Sequence, residues 1–329
     1  MTTSAASAAR PSPARSGRSL VGTARADQVF RLLLTTCALT IPVLLVALVV
    51  LLARSAWPAL TRFGFSFVTS SVWDPVAGVF GAWPMIVGTL LTAFLALLIA
   101  VPLSLGVAVY LTEFAPEVVR KPIATLIELL AAIPSVVYGL WGVFVLIPVL
   151  QHAIFPLLRS LLGFLPFFRG AIYGPSVLAA SIILAIMVMP FIMSVAREVL
   201  LAVPNSQREA AMALGATRWE AVRSAIIPYA RSGIIGAIIL GLGRALGETM
   251  AVTMLIGNSH DLSTSLFAPG YTMAAAIANE FNEAATPMHY SALTYLALLL
   301  FGITVLVNAA ARLLIWRVNR GRSAGGAVL

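Results

Sequence analysis

Long apolar runs alternate with short polar segments along most of this chain, and the runs set its architecture. Six of them, at 29–53, 85–111, 123–150, 176–196, 233–257 and 291–314, are each long enough to cross a bilayer as a helix. Such a crossing needs about 20 predominantly apolar residues. The pattern predicts an all-α integral membrane protein with six transmembrane helices. It is unlike the short alternating segments of a β-barrel. The apolar core of the first run, 32–52, exceeds the roughly 7–15 residues of a signal-peptide core and reads as a retained anchor. Pro134 and Gly139 interrupt the third run and Pro190 the fourth. Membrane helices tolerate such breaks where neighbours satisfy the freed backbone. Residues 151–173, with His152, Arg159 and Arg169 among many Leu and Phe, read as an interfacial or re-entrant segment rather than a span.

Composition agrees. Of the 329 residues, 60% are hydrophobic and 10% charged, against about 25% charged in a soluble domain. The net charge of +9 does not indicate nucleic acid, because the basic residues flank apolar runs. There they orient a membrane protein. Of the 21 Lys and Arg, Arg54, Arg62, Arg159 and Arg169 lie in one set of loops, Arg244 lies inside a span, and the other 16 lie in the opposite set. This split places both termini and the 197–231 region in the cytoplasm, in agreement with an even number of spans. Residues 1–28 form a basic tail expected to be disordered in the cytoplasm, although a transit peptide has a similar composition. Residues 29–318 make the membrane domain, and 319–329 a second cytoplasmic tail. Cys37 is the single cysteine, and His152, His260 and His289 are scattered over different loops. Neither a metal nor another cofactor is expected.

Two stretches carry candidate chemistry. The first is cytoplasmic, within 204–228. Ser206-x-x-Glu209 and Thr217-x-x-Glu220 both have capping-box spacing, in which the hydroxyl and the Glu each satisfy a backbone N–H. Gly215 stands between them, where a helix ends in the left-handed region without steric cost. The stretch reads as helix, sharp turn, helix. Ala210, Ala211 and Ala213 thin the first helix enough for a partner groove to approach. An ordinary amphipathic loop on the membrane surface has the same local features.

The second stretch, 241–250, places Arg244 and Glu248 deep in the fifth span. Arg244 is thirteen residues from Arg231, about 20 Å along a helix. An ionised side chain at such depth costs about 2.5–3.5 kcal/mol on insertion scales, so it faces protein or a wet path. Four residues apart, Arg244 and Glu248 share a helical face and can pair. Gly243 and Gly247 repeat the spacing and admit a close neighbour. One reading is an anion path with Arg244 as the contact; the other is a permanent ion pair that fixes packing. Arg suits phosphate because its planar donors match paired oxygens.

The segment Glu209-Ala210-Ala211, with Gly215 and Pro228 at the following intervals, resembles the EAA loop of ABC importer permeases. Ala225-Ile226-Ile227-Pro228 departs mildly from the usual Ile-x-Leu-Pro ending. The wording from Gly241 to Val252, and Ala132-Ile133-Pro134-Ser135-Val136-Val137-Tyr138-Gly139-Leu140-Trp141-Gly142, resemble the phosphate-specific branch, C-type membrane subunit. The resemblance covers roughly residues 28–320. It implies the type I importer permease fold in a bacterial plasma membrane. It implies a sister permease of the A-type, two copies of an ATPase docked at Glu209, Ala210, Ala211, Gly215 and Pro228, and an extracytoplasmic phosphate-binding protein. Inorganic phosphate would pass Arg244 and Glu248. The chain lacks the Gly-x-x-x-x-Gly-Lys-Ser/Thr loop that cradles ATP phosphates, since its one lysine is Lys121 between Arg120 and Pro122. ATP hydrolysis therefore belongs to another polypeptide. The rivals are a self-sufficient secondary transporter or channel for an anion, and a membrane enzyme or scaffold; the latter lacks a nucleophile or metal cluster near the pair.

Overall fold

The structure, a computed structural model, describes residues 20–323. Among these residues it is helical, with isolated β-bridges only at Asp74–Val79 and Gly257–Gly270. Six helices are long and apolar enough to cross a membrane, so the all-α six-span expectation holds. Helix α1 runs Leu20–Phe63. Residues 20–28, expected to be part of a disordered tail, are therefore helical; residues 1–19 and 324–329 of the two expected tails lie outside the described residues. The chain divides into two units at Leu51 and Leu52. In the first unit α1 exposes nearly all the apolar side chains described from Ala26 onward.

The second unit holds the other spans. Helix α2 (Trp83–Val109) continues through a π-helical turn, Tyr110–Phe114. Helix α3 (Glu117–Ala132) follows, then α4 (Ser135–Leu162), α5 (Val177–Leu201), the short α6 (Asn205–Ala213), α7 (Arg218–Gly247), α8 (Met250–Ile256), α9 (Met273–Glu280) and α10 (Pro287–Ser323). Helix α5 is the most buried span, and α2 packs against it more extensively than any other pair packs. Ala93, Ala96 and Ala100 on α2 and Ala179, Ala180 and Ala185 on α5 are all fully or almost fully buried. Small side chains let two membrane helices approach closely, where van der Waals packing and not water drives association. Gly241 serves the α7–α5 contact in the same way: a Cβ there would stand 2.6 Å from Ile192.

Two expectations are corrected. The third span is not 123–150. Residues 117–132 form the separate amphipathic α3, whose polar positions include Glu128, and the crossing helix starts after Pro134 and runs to Leu162. The first half of 151–173 is thus part of a span. The chain turns at Ile133–Pro134 because a proline disfavours the helical region for the residue before it; Ile133 is extended. The Tyr138 hydroxyl donates to the Leu130 carbonyl across this corner at 2.9 Å.

Three of the four π-helical stretches share one cause. Tyr110–Phe114, Gly142–Leu146, Leu150–Ile154 and Val222–Ile226 each end two residues before a proline, at Pro116, Pro148, Pro156 and Pro228. A proline has no N–H and its ring clashes with the carbonyl four residues earlier. Where the helix continues through the proline, at Pro148, Pro156 and Pro228, that carbonyl, of Phe144, His152 or Ser224, lies inside the widened stretch, whereas the first stretch ends at extended Ala115. The wider turn moves it away from the ring. Such bulges frequently sit at functional positions, and two of these flank the cytoplasmic elbow.

Candidate functional site

The cytoplasmic elbow is helix, turn, helix, as expected, but one cap differs. The Ser206–Glu209 capping box does not form. Helix α6 starts at Asn205, directly after Pro204, whose φ of −58° and ψ of 140° lead the chain into the helix with no side-chain cap. Ser206 is already inside the first turn. The second box is complete: Thr217 Oγ1 accepts the Glu220 N–H at 3.3 Å, and Glu220 Oε2 accepts the Thr217 N–H at 2.8 Å. Between them Gly215 has φ +84°. Its N–H donates to the Met212 carbonyl at 3.0 Å, and the Ala216 N–H donates to Ala211 at 3.2 Å. This is the paired bonding of a Schellman turn, which consumes the last carbonyls of the helix. Glu209, Ala210, Met212 and Trp219 are exposed, and Leu214 is 91% exposed. Four apolar residues turned outward beside Glu209, with Arg218 and Glu220 also exposed, make a surface that a groove can take. Pro228 follows the π turn inside α7, where the regular α-helix resumes.

Arg208 fastens the elbow, and nothing in the sequence pattern singled it out. Its Nε donates to both Glu113 oxygens at 3.2 Å and its Nη2 to Glu113 Oε1 at 2.8 Å. Nη2 also donates to the Leu200 carbonyl at 3.0 Å, and Nη1 donates to the Val203 carbonyl at 2.6 Å and to Asn205 Oδ1 at 3.3 Å. Both side chains are largely buried, 20% and 11% exposed, so the pair is less screened than a surface ion pair.

At the other end of α7 the expected Arg244–Glu248 pair is absent; no ion pair joins them among the described residues. The predicted single span 233–257 is broken. Helix α7 ends at Gly247, Glu248 is extended (φ −69°, ψ 128°), and α8 begins at Met250. Without continuous helix the four-residue spacing no longer brings the side chains together. The Glu248 carboxylate instead accepts the Ala251 N–H at 3.3 Å, at the start of α8. The Arg244 guanidinium lies 5.9 Å from the Phe191 ring centroid on α5, exposed on the surface of this chain. Gly243 faces Asn308 on α10, whereas Gly247 faces open space, so the two glycines do not serve one contact. The break is 17 residues beyond Arg231, about 25 Å along the helix. Non-helical backbone at such depth is tolerated where protein buries it or where it lines a wet cavity.

His260 and His289, expected to be separate loop residues, converge on Glu280. His260 Nε2 is 3.3 Å from Glu280 Oε1, His289 Nε2 is 3.1 Å from Oε2, and Trp73 Nε1 donates to Oε2 at 2.8 Å. They border an open cavity of about 710 Å³. His152 lies in α4 instead, with Nδ1 2.8 Å from the Pro148 carbonyl. Among the described residues no three His, Cys, Asp or Glu are grouped to hold a metal. Burial alone opposes charge on Glu280, but the hydrogen bonds from His260, Trp73 and His289 outweigh it and hold the carboxyl below the usual carboxylate range. A depressed carboxyl contributes stability that is complete above its unfolded value, about 4.3, and is lost as pH falls through the folded value. Glu280→Gln should therefore lower stability by about 1.5–3 kcal/mol at neutral pH, the worth of hydrogen bonds to a charge. Thermal unfolding of the purified protein should show the difference between variant and parent shrinking below about pH 4.

Comparison with known proteins identifies the frame around these features. Residues 100–320 match the family of binding-protein-dependent transport system inner membrane components. The chain is 48% identical over 297 residues to the phosphate transport system permease protein PstC of Mesorhizobium japonicum, covering 89% of this chain and 91% of that protein. It is 49% identical over 301 residues to PstC of Xylella fastidiosa, covering 90% and 93%. PstC 2 of Mycobacterium tuberculosis is 39% identical over 295 residues, covering 88% and 91%. Among solved structures, a chain of a bacterial alginate ABC transporter, bound to its alginate pentasaccharide-loaded periplasmic protein, superimposes with a TM-score of 0.60 at 16% identity over 91% of this chain and 98% of that one. That likeness carries the fold alone, the permease fold of ABC importers. With nine-tenths of its length aligned at nearly half identity, the chain belongs to the PstC family of ABC importer permeases.

Proposed function

We propose that this chain is one of the two permease subunits of a bacterial importer of inorganic phosphate, and that it takes its energy from a separate ATPase docked on the elbow. The observation that carries the reading is Arg244: a permanent cation in the last turn of α7, beside a backbone break, with no carboxylate partner among the described residues. A fixed cation there suits a path for an anion. Phosphate offers three or four oxygens, and a guanidinium meets them in pairs. The exposed face of Arg244 is then covered by the sister permease, and the two chains enclose the path between them. Two ATPase copies close on ATP and displace α6 of each permease, which swings the spans from outward- to inward-facing. An extracytoplasmic binding protein delivers phosphate to the outer side. The distribution of Lys and Arg supports an inner-membrane orientation with both termini cytoplasmic.

Expression in a strain deleted for its own phosphate importer tests this, with labelled phosphate uptake and affinity isolation from the same membranes. Uptake together with co-isolation of an ATPase and a second permease is the expected result. Uptake with neither protein attached supports a self-sufficient carrier and overturns the proposal.

A further inference from the structure

We infer that Arg208 is the positioning residue through which movement of the elbow reaches α2 and α5, and that the Arg208–Glu113 ion pair is the mechanical tie. The inference rests on the reading of α6 as the ATPase docking element. Three features of the geometry carry it.

First, the guanidinium is fully committed. It has five N–H donors, and its three nitrogens reach acceptors on three different elements. Glu113 belongs to the π turn that closes α2. Leu200 is the next-to-last residue of α5 and Val203 lies just beyond it. Asn205 is the first residue of α6. A guanidinium held on every side transmits displacement where a single flexible hydrogen bond does not.

Second, α6 has few other holds on these helices. None of its residues is buried, and Arg208 is among the few that are even partly covered. Its packing is mainly against the Val222–Ile226 turn that follows it. That contact moves α7 alone. The ion pair adds α2 and α5, which form the most extensively packed pair.

Third, the attachment points are helix ends. The Leu200 carbonyl belongs to the last turn of α5 and the Val203 carbonyl lies just beyond it, and a cation there also meets the negative end of the helix dipole. Glu113 is placed by a turn widened ahead of Pro116. Rigid, closely packed helices pulled at their ends move as bodies.

The test uses the whole reconstituted complex in proteoliposomes, with phosphate uptake and ATP hydrolysis measured on one preparation. Glu113→Gln keeps the carbonyl contacts of Arg208 and removes only the charge. Arg208→Lys keeps the charge and loses the fork. In both, the ATPase should co-purify in parental amount and hydrolysis should stay within twofold, while phosphate moved per ATP falls at least tenfold. Exchanging the charges, Arg208→Glu with Glu113→Arg, should recover part of that ratio. A parental ratio in both single variants overturns the inference. So does loss of the ATPase from Glu113→Gln, which would make the pair a support of the fold. Failure of the docking reading itself shows separately, as a parental complex that holds no ATPase.

Discussion

Arg244→Ala should reduce phosphate uptake by the assembled importer at least about 100-fold and leave assembly intact. Each hydrogen bond from a charged donor to an anion contributes about 1.5–3 kcal/mol, so losing a two-point contact reaches this range. The guanidinium rests on the Phe191 ring and has no carboxylate partner among the described residues, so its removal leaves no buried anion behind and the fold loses little. Arg244→Lys keeps the charge without the planar fork and should be intermediate. Glu248→Gln should stay within about threefold of the parent, because an amide oxygen can still accept the Ala251 N–H. Had the two residues formed a pair, Glu248→Gln would instead have freed a charge inside the membrane. Uptake rates and co-isolated subunits, measured on one set of membranes, separate these cases; normal uptake by Arg244→Ala would leave the residue a packing role only.

Gly215→Val should uncouple the permease from its ATPase. Gly215 holds φ at +84° with no atom near its missing Cβ, so the penalty is conformational rather than a clash. A β-branched residue in the left-handed region costs on the order of 1–3 kcal/mol, and the turn that aims α6 gives way. Membrane insertion should be unaffected, whereas co-purifying ATPase and phosphate uptake should both fall at least tenfold. Gly215→Asn, which tolerates this region, should retain most of both. Parental ATPase recovery with the Gly215→Val variant would mean that the turn does not aim the docking face.

The six spans and the elbow were legible because both are written in local patterns. Apolar length marks a span whatever surrounds it. Gly215 and the Thr217–Glu220 box announce a turn between helices, and both are present. The boundaries failed where apolar content and geometry part company. Residues 123–132 continue the hydrophobic run of 135–150, yet they sit on an amphipathic helix with Glu128 exposed. That glutamate and Pro134 were the available signals. The break at Glu248 follows directly on Gly247, a signal read only as room for a close neighbour, and helical spacing therefore overstated the Arg244–Glu248 pairing. Position in space was not legible at all for the Arg208–Glu113 tie, whose members lie 95 residues apart, or for Glu280 with His260 and His289. Those contacts exist only once α2, α5 and the outer segments have packed.

The claim beneath all of this is that phosphate crosses through this chain only when an ATPase drives it from the elbow. Labelled phosphate uptake into proteoliposomes decides it, with the two permeases reconstituted alone, with the ATPase, and with the ATPase but no ATP, each supplied with the loaded binding protein outside. Accumulation against a gradient only in the vesicles that hold both ATPase and internal ATP is the predicted result. Equal uptake by the permeases alone would contradict it.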